Sequence, residues 1–149
     1  MNAETLAGLV PDSTYVDVKD VPWQPTRFPG VEWKILMEQK ETGLSTVLMR
    51  WAPGARLPKH EHVAIEQTYV LEGSLVCGEG ACSTGDFVWR PAGSRHEAWG
   101  GPDGVLLLGM FQIPNRFFAA DGQVLDFVGR DWASVWGDAL GRHERAEFA

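Results

Sequence analysis

Little in this chain of 149 residues can serve as a covalent staple or a membrane anchor. It has only 2 cysteines, Cys77 and Cys82, and their spacing is not that of a zinc or redox pair. Unpaired buried thiols are the expectation, and they fit a reducing cytoplasm. Apolar runs such as Val105 to Leu108 are far too short to cross a bilayer. The stretch Met1 to Val10 carries Glu4 and lacks a basic start followed by an apolar run, so it is not read as a secretory signal. Positive charge is also scarce: 13 Lys and Arg stand against 20 Asp and Glu, for a net charge of −7. The basic residues are scattered, whereas nucleic acid or an anionic membrane needs a basic stripe, so neither is an expected partner.

Turn formers are abundant, and they cut the chain into short strands. Residues 1–30 read as an irregular segment, because Pro11, Pro22, Pro25 and Pro29 prevent a long helix. Tyr15 to Val18 is the one strand expected there. Val31, Trp33, Ile35 and Met37 alternate with polar neighbours, the period of a half-buried strand, and Leu44 to Trp51 returns after Glu41-Thr42-Gly43. Further strands are expected at Glu66 to Leu71, Ser74 to Cys77, Phe87 to Arg90, His96 to Trp99 and Val105 to Phe111, punctuated by glycine-rich turns. Many short strands without βαβ alternation indicate an all-β sandwich or barrel over residues 31–113. Residues 114–149 add a hairpin, turning at Asp121-Gly122, and an amphipathic helix. That helix carries Trp132, Val135, Trp136, Ala139 and Leu140 at helical spacing, with Asp131 as N-cap.

Two segments carry chemistry. The first runs from Gly54 to Gly73 and holds His60, His62 and Glu66; the second runs from Gly85 through Pro91 and Gly93 to His96. Side chains alternate along a strand, so His60, His62 and Glu66 share a face if that segment is extended. Each residue taken alone is an ordinary hydrogen-bonded or solvated side chain. Together they are costly to bury unless something binds them, and a divalent ion such as zinc or iron needs neutral imidazole and ionised carboxylate. The expected metal set is His60, His62, Glu66 and His96.

These segments resemble the paired motifs of the cupin superfamily. The first matches glycine, five residues, His-x-His, three or four residues, glutamate, six residues, glycine at every position. The second matches from Gly85 through His96, while Gly100 stands where the family has a closing asparagine. The resemblance implies a single-domain jelly-roll β-barrel, here with a C-terminal helix, that holds a metal at its mouth. Homodimers are common in that superfamily, and one is expected here. A narrower resemblance lies in Glu66 to Leu75, Gly85-Asp86-Phe87 and Arg90 to His96, which are similar to the anti-sigma-factor-type cupins. Among those are acetylacetone-cleaving and dihydroxyacetophenone dioxygenases, which use dioxygen and ferrous iron held by three histidines.

That resemblance implies a non-haem iron dioxygenase cleaving a carbon–carbon bond in a small ketone or β-diketone, with Fe(II) favoured and Zn, Mn or Ni as other occupants. Glu66 has two readings. As a fourth ligand it closes a coordination position; beside a histidine it is a catalytic acceptor that orients the ring or takes a substrate proton. A sensor module without catalysis and an isomerase or lyase are the alternative functions. Tyr69, Phe87, Trp89, Trp99, Met110 and Phe111 are candidates for a dry pocket wall. Arg50, Arg56, Arg90 and Arg95 are each read first as exposed ion-pair partners.

Overall fold

The computed structural model describes residues 12–147, so the expectations for Met1 to Val10 and Pro11 lie outside the described residues. Ten strands form one curled antiparallel sheet: β1 Gln24–Pro25, β2 Val31–Glu38, β3 Ser45–Trp51, β4 Arg56–Glu61, β5 Glu66–Cys77, β6 Gly80–Ser83, β7 Phe87–Arg90, β8 Arg95–Phe111, β9 Arg116–Phe118 and β10 Val124–Leu125. A helix, α1, spans Trp132–Glu147. The hydrogen-bonded order is β1-β2-β3-β8-β4-β9-β10, with β5 pairing β6, β7 and β8. No helix among the described residues is long and apolar enough to cross a membrane.

The curl depends on two long strands that each replace two short ones. β8 is 17 residues long; its start pairs β4, its end pairs β3, and β5 runs along its other edge throughout. The β5–β8 ladder shifts register between Val70 and Glu72 and again between Gly73 and Leu75. Gly73 sits at that bend with φ +74°, and a Cβ there would run into the carbonyl oxygen of Gly104. A bulge with a left-handed glycine bends a strand without ending it, which is why expected strand pairs at 66–77 and 96–111 are continuous.

The concave side is filled by Val31, Val47, Met49, Trp51, Leu57, Val70, Ala98, Val105, Leu107 and Phe111, all buried. Met37 departs from the alternation expected of β2, because the β2–β3 register shifts between Ile35 and Met37 and leaves it exposed. Tyr15 to Val18 is not a strand: residues before Val18 are irregular, Val18–Asp20 is a turn of 3₁₀ helix, and Tyr15 is exposed. Among the described residues no strand pairs with it.

The appended elements form as the sequence indicates. β9 and β10 pair antiparallel, and Gln123 N–H donates to Asp121 in the intervening turn. Asp131 caps α1, accepting from the Ser134 backbone at 3.0 Å and from its hydroxyl at 2.7 Å. Trp132 and Trp136 are buried with Ala64, Ile113 and Ala139, which seats the helix on the barrel beside the segment carrying His62. Trp132 Nε1–H donates to the Pro114 carbonyl at 3.0 Å.

Gly73→Ala is expected to cost more stability than the roughly 1–2 kcal/mol of a left-handed L-residue, because the backbone opposite cannot yield. Gly122→Ala, at φ +87° with nothing within 4 Å of its Cβ, is expected to cost about that penalty alone. Urea unfolding of the two variants measures the difference.

Candidate metal centre

Two strands and the segment that follows β4 bring three imidazoles together. His60 lies on β4 directly opposite His96 on β8, so the two side chains share the inner face. His62 follows two residues later, just beyond the end of β4. Its backbone is clamped by the Pro91–Ser94 turn: His62 N–H donates to Ser94 O at 2.9 Å, and Gly93 N–H donates to His62 O at 2.7 Å. The proline–glycine turn of the second motif thus fixes a histidine of the first.

The ring centroids lie 5.0 Å (His60–His62), 4.6 Å (His60–His96) and 4.8 Å (His62–His96) apart. One nitrogen from each ring lies within 4.8 Å of the others, a grouping that can hold a metal ion. His60 and His62 are buried at 2% and 0% exposure. The local sequence sets the His60 tautomer. β4 slips register between Leu57 and His60, and the Pro58 carbonyl accepts from His60 Nδ1–H at 2.8 Å. Nε2 is left as the lone-pair nitrogen.

Glu66 reaches the site by a different route from the one its spacing suggests. The chain is extended only through His60 and His62; it then bends, and Glu66 opens β5. Its Oε2 abuts His62 Nδ1, and the carboxylate also accepts from Asn115 Nδ2 at 3.3 Å and Thr68 Oγ1 at 3.2 Å. Glu66 is not within the three-histidine group of mutually close ligand atoms. Asn115 and Thr68 escaped the sequence reading; Thr68 was findable, since it shares the inward parity of Glu66.

The same parity corrects part of the expected pocket wall. With Glu66 inward, Gln67, Tyr69 and Leu71 face outward, and the β5–β7 register sets Trp89 opposite Gln67 and Phe87 opposite Tyr69. Tyr69, Phe87 and Trp89 are accordingly 40%, 51% and 58% exposed. Phe111 does line the inner cavity, together with Phe127. Arg50, Arg56 and Arg95 form surface ion pairs with Glu32, Glu97 and Glu61. Arg90 differs: it stands opposite Glu66 on the inward face and is buried.

Electrostatics favour a bound cation. Burial pushes the His60 pKa down to about 4, with His62 and Arg90 adding to the fall while Pro58 and Glu66 oppose it. Burial, then His60, Arg90 and His62, lower His96 to about 3. For Glu66, burial works upward, but His62, His60 and the Asn115 hydrogen bond outweigh it and hold the carboxyl at about 2. His62 Nδ1 faces the Glu66 carboxylate, while His62 Nε2 and His96 Nδ1 are buried with no hydrogen-bond partner. His60 and His96 held neutral by burial, ring nitrogens of His62 and His96 left without partners, and an ionised carboxylate beside them make up the donor set a divalent ion requires. The residues fit a metal.

A small inner cavity of about 20 Å³, enough for an ion or a water, is lined by His60, His96 and Glu66. Larger cavities adjoin it, two of them through two residues each. One of about 430 Å³, largely apolar, shares Phe111 and Phe127 with it; one of about 360 Å³, beside β5–β7, shares Leu75 and Arg90.

Comparison with known proteins gives consistent relatives. The ChrR cupin-like domain model matches residues 11–114. No curated protein sequence matches the chain significantly. A provisionally assigned acetylacetone dioxygenase from Methylibium petroleiphilum PM1 superposes with TM-score 0.68 at 22% identity, over 88% of this chain and 94% of its own. The acetylacetone dioxygenase of Acinetobacter johnsonii gives 0.66 at 19% identity, over 89% and 93%. ChrR, the anti-sigma factor in complex with SigE from Rhodobacter sphaeroides, gives 0.55 at 23%, over 63% of this chain and 51% of that chain. At these identities the structural matches establish the fold.

The folded-state pKa values of His60 and His96 lie below the ordinary 6.5, so below that pH the unfolded chain binds more protons than the folded one. Stability of the metal-free protein is therefore expected to be full above about pH 6.5 and to be lost as pH falls toward about 4. Glu66 extends the loss from 4.5 downward to about 2. Melting temperature recorded against pH checks this, and a His60→Gln/His96→Gln variant should flatten the upper part of the curve.

Proposed function

The chain belongs to the ChrR cupin-like family, and on that premise we propose that it is a metal-dependent enzyme: a non-haem iron dioxygenase cleaving a carbon–carbon bond in a small ketone or β-diketone. The observation that carries the reading is the convergence of His60, His62 and His96 on one point with unpartnered ring nitrogens. Three histidines and a small number of oxygen ligands suit ferrous iron, and they would leave positions for substrate and dioxygen. The superposition on two proteins named as acetylacetone dioxygenases supports the substrate class.

In this reading His60, His62 and His96 hold the ion, and Glu66 is either the fourth ligand or the acceptor that orients His62. Bound there, the ion supplies the Lewis acidity that favours the enolate of a ketone and the redox capacity that dioxygen needs. The chain supplies the rest. The Pro58 carbonyl fixes the His60 ring, and the clamp at Ser94 and Gly93 fixes His62. Glu66, kept ionised by His62, His60 and Asn115, would accept a proton from a substrate carbon next to the keto group. Phe111 and Phe127 exclude water from the inner cavity. Association as a homodimer belongs to the same proposal, supported by the apolar outer face formed by Tyr69, Leu71, Phe87 and Trp89.

A second reading, a metal-dependent sensor that signals to a partner protein, is supported by the description of the matching family model and by the likeness to ChrR.

His96→Ala is expected to lower metal occupancy at least tenfold, measured by elemental analysis after anaerobic loading with Fe(II). The loaded wild type is expected to consume oxygen with some member of a β-diketone panel. No uptake across the panel would refute the dioxygenase reading, and turnover without oxygen would indicate an isomerase or lyase.

A further inference from the structure

Arg90 is a buried cation with too few partners. Its side chain is 10% exposed, yet the groups it contacts are a single Glu79 oxygen at 3.3 Å and the Cys77 sulfur at 3.7 Å. The Glu79 side chain is itself 78% exposed, in the turn between β5 and β6. A guanidinium has five N–H donors, and a desolvated charge demands compensation. One solvated carboxylate at the long end of hydrogen-bond distance compensates it poorly.

The position of Arg90 explains what it is for. β7 pairs β5 with Arg90 opposite Glu66, so the guanidinium points into the barrel on the same face as the metal ligands. It lines the inner cavity with His60 and His96 and also lines the 360 Å³ cavity outside. Cys77, Glu79 and His96 form a second close trio of donor atoms, but a guanidinium bonded to two of the three opposes a cation there. The spot favours negative charge. With a divalent ion at the histidines, the ionised Glu66 and Arg90 included, the enclosed site carries two positive charges in excess. An enolate at the metal neutralises one, and a second anionic group at Arg90 neutralises the other.

We propose that Arg90 is the specificity-determining residue of this site and that the preferred substrate is a diketone bearing a carboxylate, a 2,4-dioxo acid, rather than a neutral diketone. This rests on the metal-centre reading above and narrows its substrate class. The carboxylate takes the place of Glu79 on the guanidinium, exchanging a solvated contact for a desolvated two-point pairing. The keto oxygens then lie toward the histidines.

The test uses a matched pair of ligands that differ only in a methyl against a carboxylate: 2,4-pentanedione and 2,4-dioxopentanoate. Each is titrated into the Co(II)-loaded protein under nitrogen, and binding is read from the cobalt absorption bands and by calorimetry. The wild type is expected to bind the acid at least tenfold more tightly than the diketone. Arg90→Gln, with unchanged cobalt content, is expected to erase that preference by weakening the acid alone, and Arg90→Lys to restore part of it. Glu79→Gln serves as an independent variant at an exposed position; removing the competing carboxylate is expected to tighten the acid several-fold and leave the diketone unchanged. Equal affinities in the wild type, binding of neither ligand, a preference that survives Arg90→Gln, or no effect of Glu79→Gln on the acid would each overturn the proposal. Because no oxygen is present, a failure of dioxygenase activity would leave this result unaffected.

Discussion

Three imidazoles and a carboxylate meet inside the barrel, His60 and His62 buried and His96 and Glu66 half-buried, and the protein offers His62 Nε2 and His96 Nδ1 nothing to bond to. Desolvated polar atoms without partners destabilise a fold by an amount comparable to a lost hydrogen bond each. The surrounding structure nonetheless enforces the arrangement. The proline carbonyl beside His60, the turn clamped on His62 and the β4–β8 register that sets His96 against His60 all work to keep these groups in place. A cation at the point of convergence would turn that cost into coordination energy. The barrel is a frame that holds three imidazoles where a metal ion could be bound.

The frame achieves this with few devices. Two long strands bend at a bulge and a left-handed glycine instead of ending, so the sheet curls and its concave face closes over the histidines. Large apolar residues of β3, β4 and β8 fill the face on one side of the site, while the rings of Phe28, Phe117 and Phe127 pack against one another on the other. Phe117 also packs at 5.2 Å against the His60 ring, tilted by 39°. The helix is anchored through two tryptophans next to the segment between His62 and Glu66.

Much of this was legible in the residues, and the exceptions have physical causes. Local signals succeeded: the two histidine motifs, the Asp131 cap, the Asp121-Gly122 turn and the strand at Phe87–Arg90 all involve neighbours in sequence. Where the chain continues through a bend, as at Gly73 and from His96 to Phe111, glycine was read as a stop although it serves as a hinge within one strand. Glu66 was assigned to the site on the premise of an unbroken extended segment, whereas the chain turns after His62 and delivers Glu66 on the next strand. Arg90 was hidden for a different reason. Its direction depends on which residue of β5 it faces, and cross-strand register is a long-range property that no local pattern encodes. Tyr69 illustrates the reverse case: its outward direction follows from its odd offset to Glu66, a rule already available in the sequence.

The account rests on a cation bound by three ring nitrogens. X-ray absorption spectroscopy of the Fe(II)-loaded protein tests it most directly, since the scattering shell around the ion counts and identifies its neighbours. One ion per chain with three imidazole nitrogens in its first shell, and the remainder oxygen, is the expected result. An ion surrounded by oxygen alone, or a protein that retains no metal after loading, would contradict it.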